Sequence, residues 1–193
     1  MINRVKQIIT APKDEWAVIE GENTPHVKLF TGYILPLSLI PAIAAFIGYG
    51  LIGYTVFGIR VNSIDWGVRQ AIVHWITMVC GIYVTAFIVD LLAGNFGAQK
   101  NFDKAFSLVA YSYTPMLVAG IFYILPSLSW LASLAGLYGL YLLYIGLQPL
   151  MKVPADKNLG YFVTCIVVTI IVSFALTAIL GAILLSSRAF HLF

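Results

Sequence analysis

Polar side chains inside the apolar stretches of this sequence are few, and they define the chemistry open to it. Asp90, in VDLLAGNF, is the one carboxylate within such a stretch. Ionisable groups at membrane depth are scarce and mark proton or ion paths. A carboxylate a few residues from Lys100 and Lys104 instead sits at headgroup depth, ionised and paired, and this reading is preferred for Asp90. The most specific string is AYSYTP, Ala110–Pro115. Pro115 has no amide hydrogen, so it frees the carbonyl of Tyr111 four residues earlier. Tyr111, Ser112, Tyr113 and Thr114 crowd hydroxyls beside that break. Broken helices with polar residues at mid-depth build the binding sites of many transporters. Hydroxyls also satisfy loosened helical backbone without binding anything, and residue types leave both readings open. His74, beside Trp75, reads as a wet interfacial residue, because neighbours such as Ala71 and Met78 offer no metal triad. Tyr138, Tyr141 and Tyr144 recur every three residues. Their hydroxyls either line a crevice or, as favoured, bond to neighbouring helices.

Catalysis has little to work with. There is no HExxH, no second membrane aspartate to join Asp90, and no Ser–His or Ser–Lys pair that spacing brings together. An enzyme needs a nucleophile or base with a partner, so the chain reads as a non-enzyme without cofactor. Cys80 and Cys165 lie alone within apolar runs and read as packing residues, with neither a disulfide framework nor a metal site.

The elements that must position these residues are five apolar runs, Leu29–Phe57, Ala71–Leu92, Ala105–Leu125, Leu128–Leu147 and Leu159–Leu185. About 20 apolar residues make a helix that crosses the ~30 Å hydrocarbon layer, and backbone polar groups in lipid force helical structure. Hydrophobic residues are 61% of the chain and charged residues 10%, far from the roughly one quarter charged of a soluble domain. The fold class is all-α, a polytopic bundle of five transmembrane helices over residues 28–187. A cytoplasmic interfacial segment, 1–27, precedes it and a short outer tail, 188–193, follows. Lys and Arg fix topology. Arg4, Lys6, Lys13, Lys28, Lys100, Lys104, Lys152 and Lys157 fall on one side, against Arg60, Arg69 and Arg188 on the other. Eight against three places the N-terminus in the cytoplasm and the C-terminus outside. The net charge of +3 is too small to imply nucleic-acid binding. No cleavable signal is evident, since MINRVKQIIT leads into charges.

Within the first segment, Ile2, Val5, Ile8 and Ile9 recur at helical spacing opposite Arg4, Lys6 and Gln7. That pattern predicts an amphipathic helix on the inner leaflet. Pro12 opens a second helix, with Asp14 and Glu15 near its positive end. Trp16, Arg4 and Lys6 are the expected interfacial anchors. Pro36 and Pro41 predict kinks in span one, and Gly48, Gly50 and Gly53 predict close helix packing. In span four the pairs Ala132/Gly136 and Ala135/Gly139 mark a packing element and a candidate self-association face.

APKDEW followed by ENTP, AYSYTP in span three, and GLYGLYLLYIGLQPLMKVP through span four together resemble the Yip (Ypt-interacting protein) family, in its bacterial branch. The resemblance covers nearly the whole chain and implies five helices, a cytoplasmic N-terminus and a very short outer tail. Eukaryotic members are similar to vesicle-traffic adaptors that associate with Rab-type GTPases and with one another. The short N-terminus here lacks their long acidic-polar extension, and a bacterium has no Rab protein, which weighs against a GTPase partner. The expected role is a non-enzymatic organiser or adaptor of the bacterial inner membrane, whose partners are the bilayer, further copies or other membrane proteins. The alternative is a small-solute or ion transporter using the Pro115 break and Asp90.

Overall fold

The computed structural model describes residues 1–56, 59–61 and 63–189. Among them five helices are long and apolar enough to cross a membrane. They are span one, His26–Ile52; span two, Ile64–Phe96; span three, Phe102–Ile124; span four, Pro126–Met151; and span five, Asn158–Ala189. An antiparallel hairpin of β1 (Tyr54–Val56) and β2 (Ile59–Val61), pairing Tyr54 with Val61, joins the first two. The protein is an all-helical polytopic bundle apart from that hairpin.

Local chemistry explains where the helices depart from the apolar runs. Span one stops before the run does because Gly53 takes φ 80°, a left-handed conformation that ends a helix; residue 57 lies outside the described residues. Span two starts at Ile64, well before Ala71. Ser63 accepts from the Trp66 amide at 3.5 Å, and the polar first turns, with Asp65 and Arg69, hid the start from hydropathy. Prolines 36 and 41 sit in an α-helical stretch, Leu35–Ala45, flanked by π-helical Phe30–Ile34 and Phe46–Ile52. The wider turns absorb bonds the prolines cannot make. Span three breaks where expected: α-helix runs Phe102–Ser112, Tyr113 interrupts, and Thr114–Ala119 resumes. Of the expected tail, residues 190–193 lie outside the described residues.

Span three is the most enclosed helix, with spans one, two and four packed on it and span five against two and four. Close backbone approach is paid for in glycine. A Cβ on Gly67 would lie 2.5 Å from the Gly50 Cα, and one on Gly139 would lie 2.6 Å from the Ser112 carbonyl oxygen. The span-four small residues Ala132 and Gly139 are therefore buried inside the protomer.

The N-terminal segment corrects the sequence expectation. It forms α1 (Ile2–Thr10) and α2 (Pro12–Gly21), but these fold into the bundle and do not rest beside it. Ile8 is 0% exposed, Trp16 1% and Ile19 2%. The helical pair meets spans three and four. An amphipathic stripe has the same spacing whether it faces lipid or a protein groove, so the periodicity alone was mute on this point.

Candidate functional site

The broken helix and the N-terminal pair meet in one place. Thr114, 0% exposed, shares a hydrogen bond with the Tyr33 hydroxyl of span one, Oγ1 to OH 2.8 Å. The Tyr33 ring stands edge-on to Tyr111 with centroids 4.9 Å apart, and Trp16 approaches the same ring edge-on at 6.3 Å. The Arg4 guanidinium lies 5.6 Å above the centre of the Tyr111 ring, a cation–π arrangement. Tyr138 donates from mid-span four to the Ile9 carbonyl at 2.8 Å. On this side of Pro115 the space is thus filled by the chain's own side chains.

A set of ion pairs holds the plug. Arg4 pairs with Glu15 and with Glu22, and Lys152 pairs with Glu20. Lys104 donates to the carbonyls of Glu20 at 2.7 Å and Glu22 at 2.5 Å. Burial alone would lower the Arg4 pKa. The hydrogen bond to Glu22 and the negative surroundings at Tyr111, Glu22 and Glu15 outweigh it and hold the guanidinium above its ordinary value. Trp16 is therefore an interior residue and not a membrane-surface anchor, and Arg4, partly buried, is engaged by Glu15 and Glu22. Lys6 is exposed, and its carbonyl accepts from Thr10 at 2.9 Å. Glu15 stands in the first turn of α2, as expected, and pairs with Arg4 as well. Tyr33, Glu20, Glu22 and Gly146 escaped the sequence reading. Gly146 had a signal, a glycine next to an aromatic run: a Cβ there would meet the Trp16 ring at 2.7 Å.

The other singled-out residues do not join this cluster. Asp90 makes no ion pair among the described residues, and its Oδ1 is buried without a hydrogen-bond partner. The expected pairing with Lys100 or Lys104 is not seen among the described residues, and Lys104 is instead engaged by the carbonyls of Glu20 and Glu22. His74 stacks on Tyr123 with centroids 5.0 Å apart. Tyr141 is 43% exposed and touches Tyr138 across 5.7 Å.

Two of the cavities lie deeper, among the spans. One of about 270 Å³ opens between spans two to five, lined by Thr85, Ser112, Tyr113, Gly136, Cys165 and Thr169. Tyr113 reaches Thr85 across 3.4 Å, and Ser112 Oγ has no partner among the described residues. The other, about 350 Å³, lies at the basic end between α2, span four and the start of span five. Among the described residues no group of three His, Cys, Asp or Glu side chains is placed to hold a metal.

Comparison with known proteins adds a family. The sequence profile of the Yip1 domain matches residues 6–177. The chain is 25% identical over 134 residues to the "Inner membrane protein YohC" of Escherichia coli (strain K12), covering 68% of each chain. The protein of the same name from Escherichia coli O6:H1 (strain CFT073) matches to the same extent. No solved structure is significantly similar.

Proposed function

We propose that this chain, which belongs to the Yip1 domain family, is a non-enzymatic organiser or adaptor of the bacterial inner membrane, acting through helix–helix and lipid contacts. One observation carries this reading. On the side of the Pro115 break that faces the N-terminal helices, Thr114, Tyr111 and Tyr138 are taken up by Tyr33, Trp16, Arg4 and Ile9, so three of the hydroxyl-bearing side chains a transport site would present to a solute are spent within the protein. Ser112 and Tyr113 line a largely apolar cavity on the other side. Coupled transport needs ionisable groups near the midplane, and Asp90 lies near the end of span two, six residues before Phe96. The charge asymmetry supports a basic end that faces the cytoplasm, with the N-terminus inside and the C-terminus outside. Partners are further copies or other membrane proteins, met through the outward apolar faces.

The test is a flux assay in liposomes with the intact protein, Asp90→Asn and Pro115→Ala. The organiser reading expects ion and small-solute flux no higher than in empty vesicles for all three. Specific flux that Asp90→Asn abolishes would sink it and restore the transport reading.

A further inference from the structure

Five buried side-chain polar atoms find no partner among the described residues, and two belong to the basic-end cavity. Trp16 is 1% exposed and its Nε1–H is unpaired; Asn158 is 6% exposed and its Oδ1 is unpaired. A buried polar group without a partner costs about 1–3 kcal/mol, and such groups in a folded protein need a reason. The two are of opposite type. Indole nitrogen only donates, and the amide oxygen only accepts. The Asn158 amide nitrogen is turned the other way, to the Tyr144 carbonyl at 3.4 Å.

The charges around the cavity are lopsided. Glu20 lines it but is neutralised by Lys152. Lys13 lines it too, is exposed, and takes part in no ion pair among the described residues. Gln148 adds an amide at the rim. The site therefore asks for an anionic oxygen, to meet the Trp16 N–H and Lys13, joined to a hydrogen-bond donor, to meet Asn158. Its depth says where such a ligand comes from. Asn158 is the first residue of span five, and Gly146, against Trp16, is five residues from the end of span four, about 8 Å at 1.5 Å per residue. That is the headgroup layer. The volume, about 350 Å³, is at the small end of ligand pockets and suits a headgroup, not a whole lipid.

We infer that the cleft between α2 and spans four and five binds a phospholipid headgroup whose phosphodiester carries a donor-bearing alcohol, ethanolamine or glycerol. The phosphate faces Trp16 Nε1 and Lys13, and the ammonium or hydroxyl faces Asn158 Oδ1. Choline lipids have the same phosphate but no N–H or O–H on the head, so Asn158 discriminates against them. The site goes beyond the organiser reading and does not depend on it.

The experiment uses the full-length protein in mild detergent, titrated with short-chain phosphatidylethanolamine, phosphatidylglycerol and phosphatidylcholine and followed by native mass spectrometry. Saturable one-site binding is expected for the first two, with the choline lipid about tenfold or more weaker. Asn158→Ala brings ethanolamine and glycerol lipids down to the choline level and leaves the choline lipid unchanged. Lys13→Gln, at an exposed position that does not threaten the fold, weakens all three, and Trp16→Phe does the same. Free phosphoethanolamine and glycerol phosphate bind far more weakly than the lipids; equal binding would assign the site to a soluble phosphate ester and overturn the lipid assignment. Equal affinity for the choline lipid, or discrimination that survives Asn158→Ala, overturns the site. Either failure leaves the flux result, on which the organiser reading rests, untouched.

Discussion

Gly146→Ala separates packing from helix propensity. Alanine inside the helix of span four is the better helix former by about 1 kcal/mol, so propensity alone predicts a more stable protein. The structure predicts the reverse for the N-terminal plug. The new methyl would stand 2.6 Å from Leu108 Cδ1 and 2.7 Å from Trp16 Cε2. Leu108 can turn away, but the indole is a rigid plate wedged against Tyr111 at 6.3 Å. Overpacking of this kind costs about 1–3 kcal/mol. Span four stays helical whether the plug is docked or not, so the propensity gain cancels and the docking equilibrium reads the clash alone. At 1.4 kcal/mol per factor of ten, undocking becomes roughly five- to 150-fold more frequent. The reporter is a cysteine at Ile8, 0% exposed when docked, in a chain with Cys80 and Cys165 changed to Ala. Labelling by a water-soluble maleimide tracks the open population when closing is fast. A cysteine at Ile2, 78% exposed, serves as control and labels equally in both backgrounds. Unchanged or slower labelling at position 8 in the Gly146→Ala protein would refute the reasoning.

Other perturbations follow from the same geometry. Thr114→Val strands the buried Tyr33 hydroxyl and should cost about 1–3 kcal/mol, a fall of roughly 3–10 °C in thermal unfolding in detergent; adding Tyr33→Phe should recover part of it, because both partners are then apolar. Gly120→Ala sets a Cβ 2.5 Å from Pro41 Cβ and 3.0 Å from its Cα, pushing spans one and three apart at about 1–3 kcal/mol, whereas Gly32→Ala meets nothing within 4 Å and should stabilise slightly, by up to about 1 kcal/mol. Glu20→Gln removes a pair with Lys152 whose side chains are 37% and 47% exposed. Its loss should cost under about 1 kcal/mol, and the effect should vanish in roughly 1 M salt, where the Debye length is about 3 Å.

The membrane bundle was legible in the sequence because hydrocarbon imposes one rule on every residue of a span, and five runs obey it. The Pro115 break was legible for an equally local reason, since proline lacks an N–H wherever it sits. Its meaning was not. Whether Tyr111 and Thr114 face a solute or a side chain depends on Tyr33, 81 positions before Thr114 and bonded to it, and on an N-terminal helix whose stripe fits lipid and protein alike. Asp90 shows the same limit from the other side. Proximity in sequence pointed to Lys104, but that lysine reaches carbonyls more than 80 residues away. Pairings over such separations have no periodicity, and spacing cannot announce them.

Residues 2–21 are built into the bundle and pack against one side of the helix break. A small diazirine amino acid of isoleucine size at position 8, activated in intact membranes, tests this placement most directly. Peptide mapping should find the adduct within the same chain, on span three or span four. Adducts on lipid alone, with no internal cross-link, would contradict the claim and return the segment to the membrane surface.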